Sequence, residues 1–315
     1  MRNWRWSSVS IVPSTGVTSS TSLTCTATAT DEDGDTPTLS YLWTNADSGD
    51  TLGTGTTVDL DPSYAQPGET ITCTVTATDD DGGTDEDADS VTVENTAPEV
   101  TSVSISPSTG VTTATTLTCT ATATDEDGDT PTLTYAWTND TDGTSLGTGA
   151  DLALTASTSA PGDTITCTAT ATDSGGETDA NSDSIDVENT NPEITSVSIT
   201  PSSGVTTSTE LTCTATATDD DGDTPTLSYA WTNTTDGTSL GTGETLTLST
   251  SSSAPDDTIT CTATATDDDG GTDSDSDSVT VDNTNPEVTS VSVVPSTGIT
   301  TSSSLTCTAT ATDAD

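Results

Sequence analysis

Threonine alternates with small or apolar residues along much of this chain. In "LTCTATATD" (23–31), Leu23, Cys25, Ala27 and Ala29 share one face, and Thr24, Thr26, Thr28 and Thr30 share the other. "ITCTVTATD" (71–79) repeats the arrangement with Ile71, Cys73, Val75 and Ala77 set against threonine. A period of two with β-branched residues on the polar face specifies a half-buried strand. "VSI", "VTV", "LSYLW" and "TTVDL" supply more strands, separated at short intervals by the turn signals "PSTG", "DGD", "LGTG", "QPGE" and "DGG". Such spacing predicts an all-β sandwich without helices.

The pattern itself repeats. Cysteines at 25, 73, 119, 167, 213, 261 and 307 are separated alternately by 48 and 46 residues, a period of 94. Trp43, Trp137 and Trp231 keep that period, as do Tyr41, Tyr135 and Tyr229. The expected units are 1–97, 98–191 and 192–285, with 286–315 the N-terminal part of a fourth. A unit of that length suits one small domain and not a solenoid turn. Cys307 has no cysteine 48 residues further on, so the chain reads as a piece of a longer array.

Composition changes the picture in two ways. Only 28% of the 315 residues are hydrophobic and 3% aromatic, a balance that on its own would suit disorder. The strict placement of the apolar residues overrides that reading. Second, 52 acids stand against two basic residues and no histidine, a net charge of −50. Nucleic acid is thereby excluded as a partner, while cations and a heavily solvated surface are favoured. No apolar run approaches the roughly 20 residues of a membrane span, and "MRNWRWSS" lacks the apolar core of a signal peptide. The acids sit in turn sequences and recur in every unit, so no catalytic residue is assigned and the chain is not expected to be an enzyme.

Two cysteines on apolar strand faces with a tryptophan between them resemble the immunoglobulin fold. Two departures matter: the cysteines lie closer in sequence than in antibody domains, and Ile71 stands where the family's corner tyrosine would be. The stretches "TATDEDGDTPTLSYLWTN", "GETITCTVTATDDDGG" and "VTVENTAPEV" resemble more closely the bacterial Ig-like, PKD-like and cadherin-like tandem repeats of surface proteins. The resemblance implies an all-β chain of tandem Ig-like β-sandwich domains with one intradomain disulfide each, arranged as a rod outside the cell. The implied pairs are Cys25–Cys73, Cys119–Cys167 and Cys213–Cys261. A crosslink closing a loop of this size stabilises by roughly 4 kcal/mol in the chain-entropy picture, and small, aliphatic-poor cores depend on such staples. Disulfides in turn imply an oxidising, extracellular setting.

The acid runs "DEDGD" (31–35 and 125–129) and "DDDGD" (219–223) fail as EF-hand loops. Counted from Asp31, glycine falls at position 4 (Gly34) and position 12 is Leu42, whereas that loop needs glycine at 6 and a bidentate acid at 12. In an Ig-like sandwich, the loops after the two cysteine strands share one end with the incoming linker; "DEDGD" is expected in the first loop and "DDDGGTDEDAD" (79–89) or "DDDGGTDSDSD" (267–277) in the second. The linkers "ENTAPE", "ENTNPE" and "DNTNPE" resemble those of cadherins, which bind calcium between domains. That resemblance implies that Glu94, Asn95 and Glu99 meet Asp125, Asp127, Asp129 and Asp173. It likewise brings Glu188, Asn189 and Glu193 to Asp219, Asp221, Asp223, Asp267 and Asp269, and Asp282, Asn283 and Glu287 to Asp313 and Asp315. Oxygen-only donors suit a hard cation, Ca²⁺, in a structural role. Carboxylates about 4 Å apart repel by roughly 1 kcal/mol even in water, so a cation would relieve them. The alternative is solvated turns of a salt-adapted protein, and "DSGGETDAN" (173–181), with Ser174 and Gly175 in place of acids, leans that way.

The first copy, Asp31, Asp33 and Asp35, has no linker of this type ahead of it and should bind calcium worst. "MRNWRW" stands there instead, and Arg2 and Arg5, with Trp4 and Trp6, are expected beside those acids in the cation's stead. The functional expectation is an extracellular structural protein: a calcium-rigidified stalk, adhesin extender or surface-filament subunit. Its partners would be other copies of itself or neighbouring repeats, and a cell-surface or carbohydrate ligand. A carbohydrate- or protein-binding adhesin module and a metal-free, salt-adapted spacer are the alternatives. The "TATAT" faces resemble ice-binding threonine rows, and marine bacterial adhesins with calcium-rigidified extender repeats offer the matching family analogy; solvent-facing strand residues account for the same pattern. "NDT" (139–141) and "NTT" (233–235) are glycosylation sequons.

Overall fold

The computed structural model describes residues 5–31, 34 and 36–315. The first seven strands are β1 (Arg5–Val12), β2 (Ser22–Thr30), β3 (Thr38–Asn45), β4 (Thr51–Thr54), β5 (Thr57–Asp59), β6 (Thr70–Thr78) and β7 (Thr84–Thr92). The order then recurs as β8 (Glu99–Ser106), β9 (Thr116–Thr124), β10 (Thr132–Asn139), β11 (Thr144–Thr148), β12 (Asp151–Ala153), β13 (Thr164–Thr172) and β14 (Thr178–Asp186). A third set follows: β15 (Glu193–Thr200), β16 (Glu210–Thr218), β17 (Thr226–Asn233), β18 (Thr238–Thr242), β19 (Thr245–Thr247), β20 (Thr258–Thr266) and β21 (Thr272–Thr280). β22 (Glu287–Val294) and β23 (Thr306–Thr312) complete the described chain, which contains no helix. By contacts the chain falls into two compact units. One comprises Met1–Thr109, Thr116–Ala153 and Thr164–Ile185; the other comprises Gly110–Thr115, Leu154–Asp163 and Asp186–Asp315.

Each set of seven strands makes two antiparallel sheets, ordered β1-β2-β5 and β4-β3-β6-β7 in the first. The alternation seen in the sequence becomes burial: Leu23 and Cys25 of β2, and Ile71, Cys73, Val75 and Ala77 of β6, are fully buried. Trp43 is also fully buried, opposite Cys73 in register. Its indole donates to the Gly55 carbonyl at 3.0 Å; Trp137 and Trp231 donate to Gly149 and Gly243 at 2.9 Å. Disulfides Cys25–Cys73, Cys119–Cys167 and Cys213–Cys261 join the two sheets, with Cα–Cα separations of 6.4–6.5 Å. The core around them is thin. In the third repeat it is built from Ile199, Val205, Leu211, Trp231, Leu248, Ile259, Val279 and Val281 beside the cystine. The Ig-like expectation and the three implied disulfides therefore hold. β22 and β23 form a two-stranded sheet in which Cys307 is exposed and outside the disulfides.

One sequence expectation needs correcting. The stretches 79–89 and 267–277 were expected to be loops, but β7 and β21 begin at Thr84 and Thr272. Aspartate at every second position (85, 87, 89) alternates with Glu86, Ala88 and Ser90, so the aspartates occupy one face of an edge strand. There they accept backbone N–H groups from the edge strand of the opposite sheet. Ile11, Ile105 and Ile199 donate to Asp89, Asp183 and Asp277 at 2.9, 3.0 and 2.9 Å. Val100 and Ile194 donate to Asp179 and Asp273 at 2.8 Å. Carboxylates thus stitch the open side of each sandwich, satisfying edge amides that would otherwise invite another strand.

Candidate functional site

Each linker enters through a fixed set of backbone bonds. Glu94 N–H donates to Val17 O at 2.6 Å, and its carboxylate accepts from Gly16 N–H at 2.9 Å. Glu188 repeats this on Val111 and Gly110, and Asp282 N–H donates to Val205 O. The Glu94 and Glu188 carboxylates are therefore engaged by the turn of the repeat they leave, away from the acid loops they were expected to meet. Glu99, Glu193 and Glu287 are the exposed first residues of β8, β15 and β22, in register with Thr124, Thr218 and Thr312.

The next linker residues do reach the acid loops. In the first unit, Asn95 Nδ2 donates to Asp173 Oδ2 at 2.9 Å and to Glu177 Oε2 at 3.0 Å. Thr96 donates its N–H and its hydroxyl to Asp127 Oδ2, both at 2.8 Å. In the second unit, Asn189 Nδ2 donates to Asp267 Oδ2 at 3.0 Å, and Thr190 reaches Asp221 with both groups, at 2.7 and 2.6 Å. Thr284 N–H reaches Asp315 at 2.5 Å, while Asn283 Nδ2 turns to its neighbour's carbonyl, Thr284 O. Asp313 accepts from Asp315 N–H at 3.4 Å.

The loop tips hold the electrostatic imbalance. One oxygen of Asp125 accepts from Asp127 N–H at 2.8 Å, and one of Asp219 accepts from Asp221 N–H at 2.7 Å. The other oxygen of each, together with Asn189 Oδ1 and Thr284 Oγ1, is buried without a hydrogen-bond partner. Burial, followed by repulsion from neighbouring acids, pushes the Asp125 and Asp219 carboxyls above the usual range. Asp223 is also raised, by desolvation and then by Asp268 and Asp269. Asp173 and Asp267 are lowered instead, chiefly because Asn95 and Asn189 donate to them.

Close approach fixes two glycines here. A Cβ on Gly175 would stand 2.9 Å from Asn95 Nδ2. One on Gly271 would run into Asp267 Oδ2 and lie 2.5 Å from Asn191 Oδ1. Asn191 thus brings an amide oxygen to the second junction, where the first has Ala97. The first junction also gives up acidity, because Ser174 donates its hydroxyl to Asp129 Oδ2 at 2.6 Å. Among the described residues, no group of three or more His, Cys, Asp or Glu side chains is gathered so as to hold a metal ion. A cation here would need amide oxygens and water beside the carboxylates, as Ca²⁺ with its six to eight oxygen ligands accepts. The unpartnered Asp125, Asp219 and Asn189 oxygens fit that chemistry.

Ser19, Thr113, Glu177 and Asn191 were missed in the sequence. The signal for Ser19, Thr113 and Asn191 was the 94-residue period applied to loop hydroxyls and amides; Glu177, where the other repeats have Gly83 and Gly271, carried none. Asp33, Asp35, Arg2 and Trp4 lie outside the described residues; Arg5, the other half of the expected cation substitute, is the exposed first residue of β1, in register with Thr30. Trp6 is described, and its indole donates to Asp85 of β7 at 2.8 Å. The sequon asparagines Asn139 and Asn233 are each 1% exposed. Asn233 is held by Asp257 and by Thr235 N–H, and Asn139 accepts from Thr141 N–H, so the folded sandwich buries the acceptor asparagine of both sequons.

No described protein family matches the sequence, and no curated protein does. Among solved structures, the chain is similar to a tetra-tandem repeat from the extending region of a large adhesion protein. Identity there is 19%, covering 98% of this chain and 88% of that one, with a TM-score of 0.33. It is also similar to a Ca²⁺-stabilized adhesin with which an Antarctic bacterium binds ice, at 16% identity, 92% and 77% coverage and a TM-score of 0.36. A third likeness is to extracellular cadherin domains 3–6 of protocadherin gamma B2, at 12% identity, 94% and 76% coverage and a TM-score of 0.31. Scores of this size establish no common placement of the domains, and the functional reading rests on the chain's own residues.

Proposed function

We propose that this is an extracellular structural protein, a stalk or extender built of tandem Ig-like domains with Ca²⁺ at the linkers. The observation that carries it is the set of buried, unpartnered oxygens on Asp125, Asp219 and Asn189, each beside a linker. Bound calcium would supply those oxygens with the positive charge that no protein donor brings there. The second junction would hold it through Asp219, Asn189 and Asn191, with Asp223, Asp267, Asp268 and Asp269 adding charge; the first through Asp125, with Asp129 and Asp173 adding charge. Asn95 and Asn189 orient Asp173 and Asp267, and the close-packed Gly175 and Gly271 leave room for those amides. Three disulfides support an oxidising, extracellular setting. Near-identical repeats add length and not new specificity, which supports a spacer whose partners are its own repeats.

Calorimetric titration with calcium tests the site. Binding by the native chain, weakened about tenfold or more by Asp219→Asn as expected for loss of one charged ligand, supports the proposal; no heat above dilution contradicts it. A metal-free spacer is the second reading, favoured by the lack of an all-carboxylate cage among the described residues.

A further inference from the structure

One pair of acids in these loops is held from two sides, by the preceding repeat and by the linker. Asp127 and Asp221 are 1% and 6% exposed, the most buried acids of their loops, and protein donors occupy both oxygens of each. Ser19 Oγ donates to Asp127 Oδ1 and Thr113 Oγ1 to Asp221 Oδ1, both at 2.8 Å. These hydroxyls belong to the loop between the first two strands of the preceding repeat, 108 residues earlier. The linker's Thr96 or Thr190 fills the other oxygen with an N–H and a hydroxyl. The same preceding-loop hydroxyls also donate to Glu126 O and Asp220 O, at 3.2 and 3.3 Å. Thr207 and Thr284 direct the same two donors at Asp315.

Three of the about four lone-pair positions of each carboxylate are taken by donors from its own chain, while its neighbour two residues earlier, Asp125 or Asp219, keeps one oxygen bare. We infer that Asp127 and Asp221 are hydrogen-bond latches and not metal ligands, locking preceding repeat, linker and following repeat together without any ion. The two tasks are divided within each loop: the first aspartate faces a cation, the third fastens the chain. Fastening therefore persists when calcium is removed. This rests on the tandem-domain reading but not on the calcium proposal, which could fail while the latch stands.

The test is amide hydrogen exchange at Thr96 and Thr190 in the full chain under chelator, native against Thr113→Val, with calcium titrations in parallel. Valine keeps the side chain's shape and removes only the hydroxyl, and unchanged melting of the variant's sandwiches confirms folding. Both amides should be protected in the native chain without calcium. Thr190 should exchange ~10-fold faster in Thr113→Val as local opening becomes easier, while Thr96, in the other latch, does not change and the calcium midpoint moves less than ~2-fold. Unprotected amides in native chelated protein, no change at Thr190 in the variant, or a calcium midpoint shifted tenfold would each overturn the latch.

Discussion

Asp125 and Asp219 each hold one buried carboxylate oxygen without a protein hydrogen-bond donor. Their pKa values are raised in the folded chain, so the native state binds more protons than the unfolded chain just above the ordinary aspartate range. In chelator, these residues therefore make stability rise as pH falls from 7 toward about 4. Asp173 and Asp267 have the opposite shift. Their stabilisation is present above the unfolded pKa and is lost as pH falls below it. Urea unfolding of the double variant Asp125→Asn, Asp219→Asn should show a shallower rise over the upper window than the native chain; an unaltered slope would remove these two residues as its source. The acids of this site were legible because they break the threonine alternation at fixed intervals. Ser19 and Thr113 were not, since a hydroxyl in a serine- and threonine-rich turn looks the same whether it meets water or an aspartate 108 residues away.

Strands were read from the sequence wherever alternation put apolar residues on one face, as in β2 and β6. β7 and β21 were read only at their "VTV" ends, because the rest of their alternating face is carboxylate and a row of aspartates reads as solvated turn. The structure gives several of those acids work: Asp89, Asp273 and Asp277 each take a backbone N–H across the open side of the sandwich. Removing one leaves a half-buried amide without its acceptor, a loss of about 1–3 kcal/mol. Asp277→Ala should cost that much in equilibrium unfolding, and Asp183→Ala likewise. Ser184→Ala, on the exposed face of β14, should stay within about 0.5 kcal/mol. At the same scale, the buried sequons make a clear expectation. Chain folded before exposure to a glycosylating extract should gain no N-linked mass at Asn139 or Asn233, whereas the reduced, unfolded chain presents both.

Across the whole molecule, thin cores and a charge of −50 leave stability dependent on crosslinks and on whatever neutralises the loops. Opening Cys213–Cys261 by a double alanine substitution should cost about 2–5 kcal/mol, enough to unfold the third sandwich near body temperature while the first retains its own staple. The two junctions should also differ, the second binding calcium more tightly through Asn191, Asp268 and Asp269, where the first has Ala97, Ser174 and Gly175. The central claim, that the linker sites are built for a divalent cation and not merely for screening, is tested most directly by thermal unfolding in calcium against chelator at matched, near-physiological ionic strength. At calcium about a hundredfold above the dissociation constant, linkage gives roughly 2.7 kcal/mol per site, a rise in Tm on the order of 10 °C for domains of this size. Identical melting curves in calcium and in chelator would contradict it.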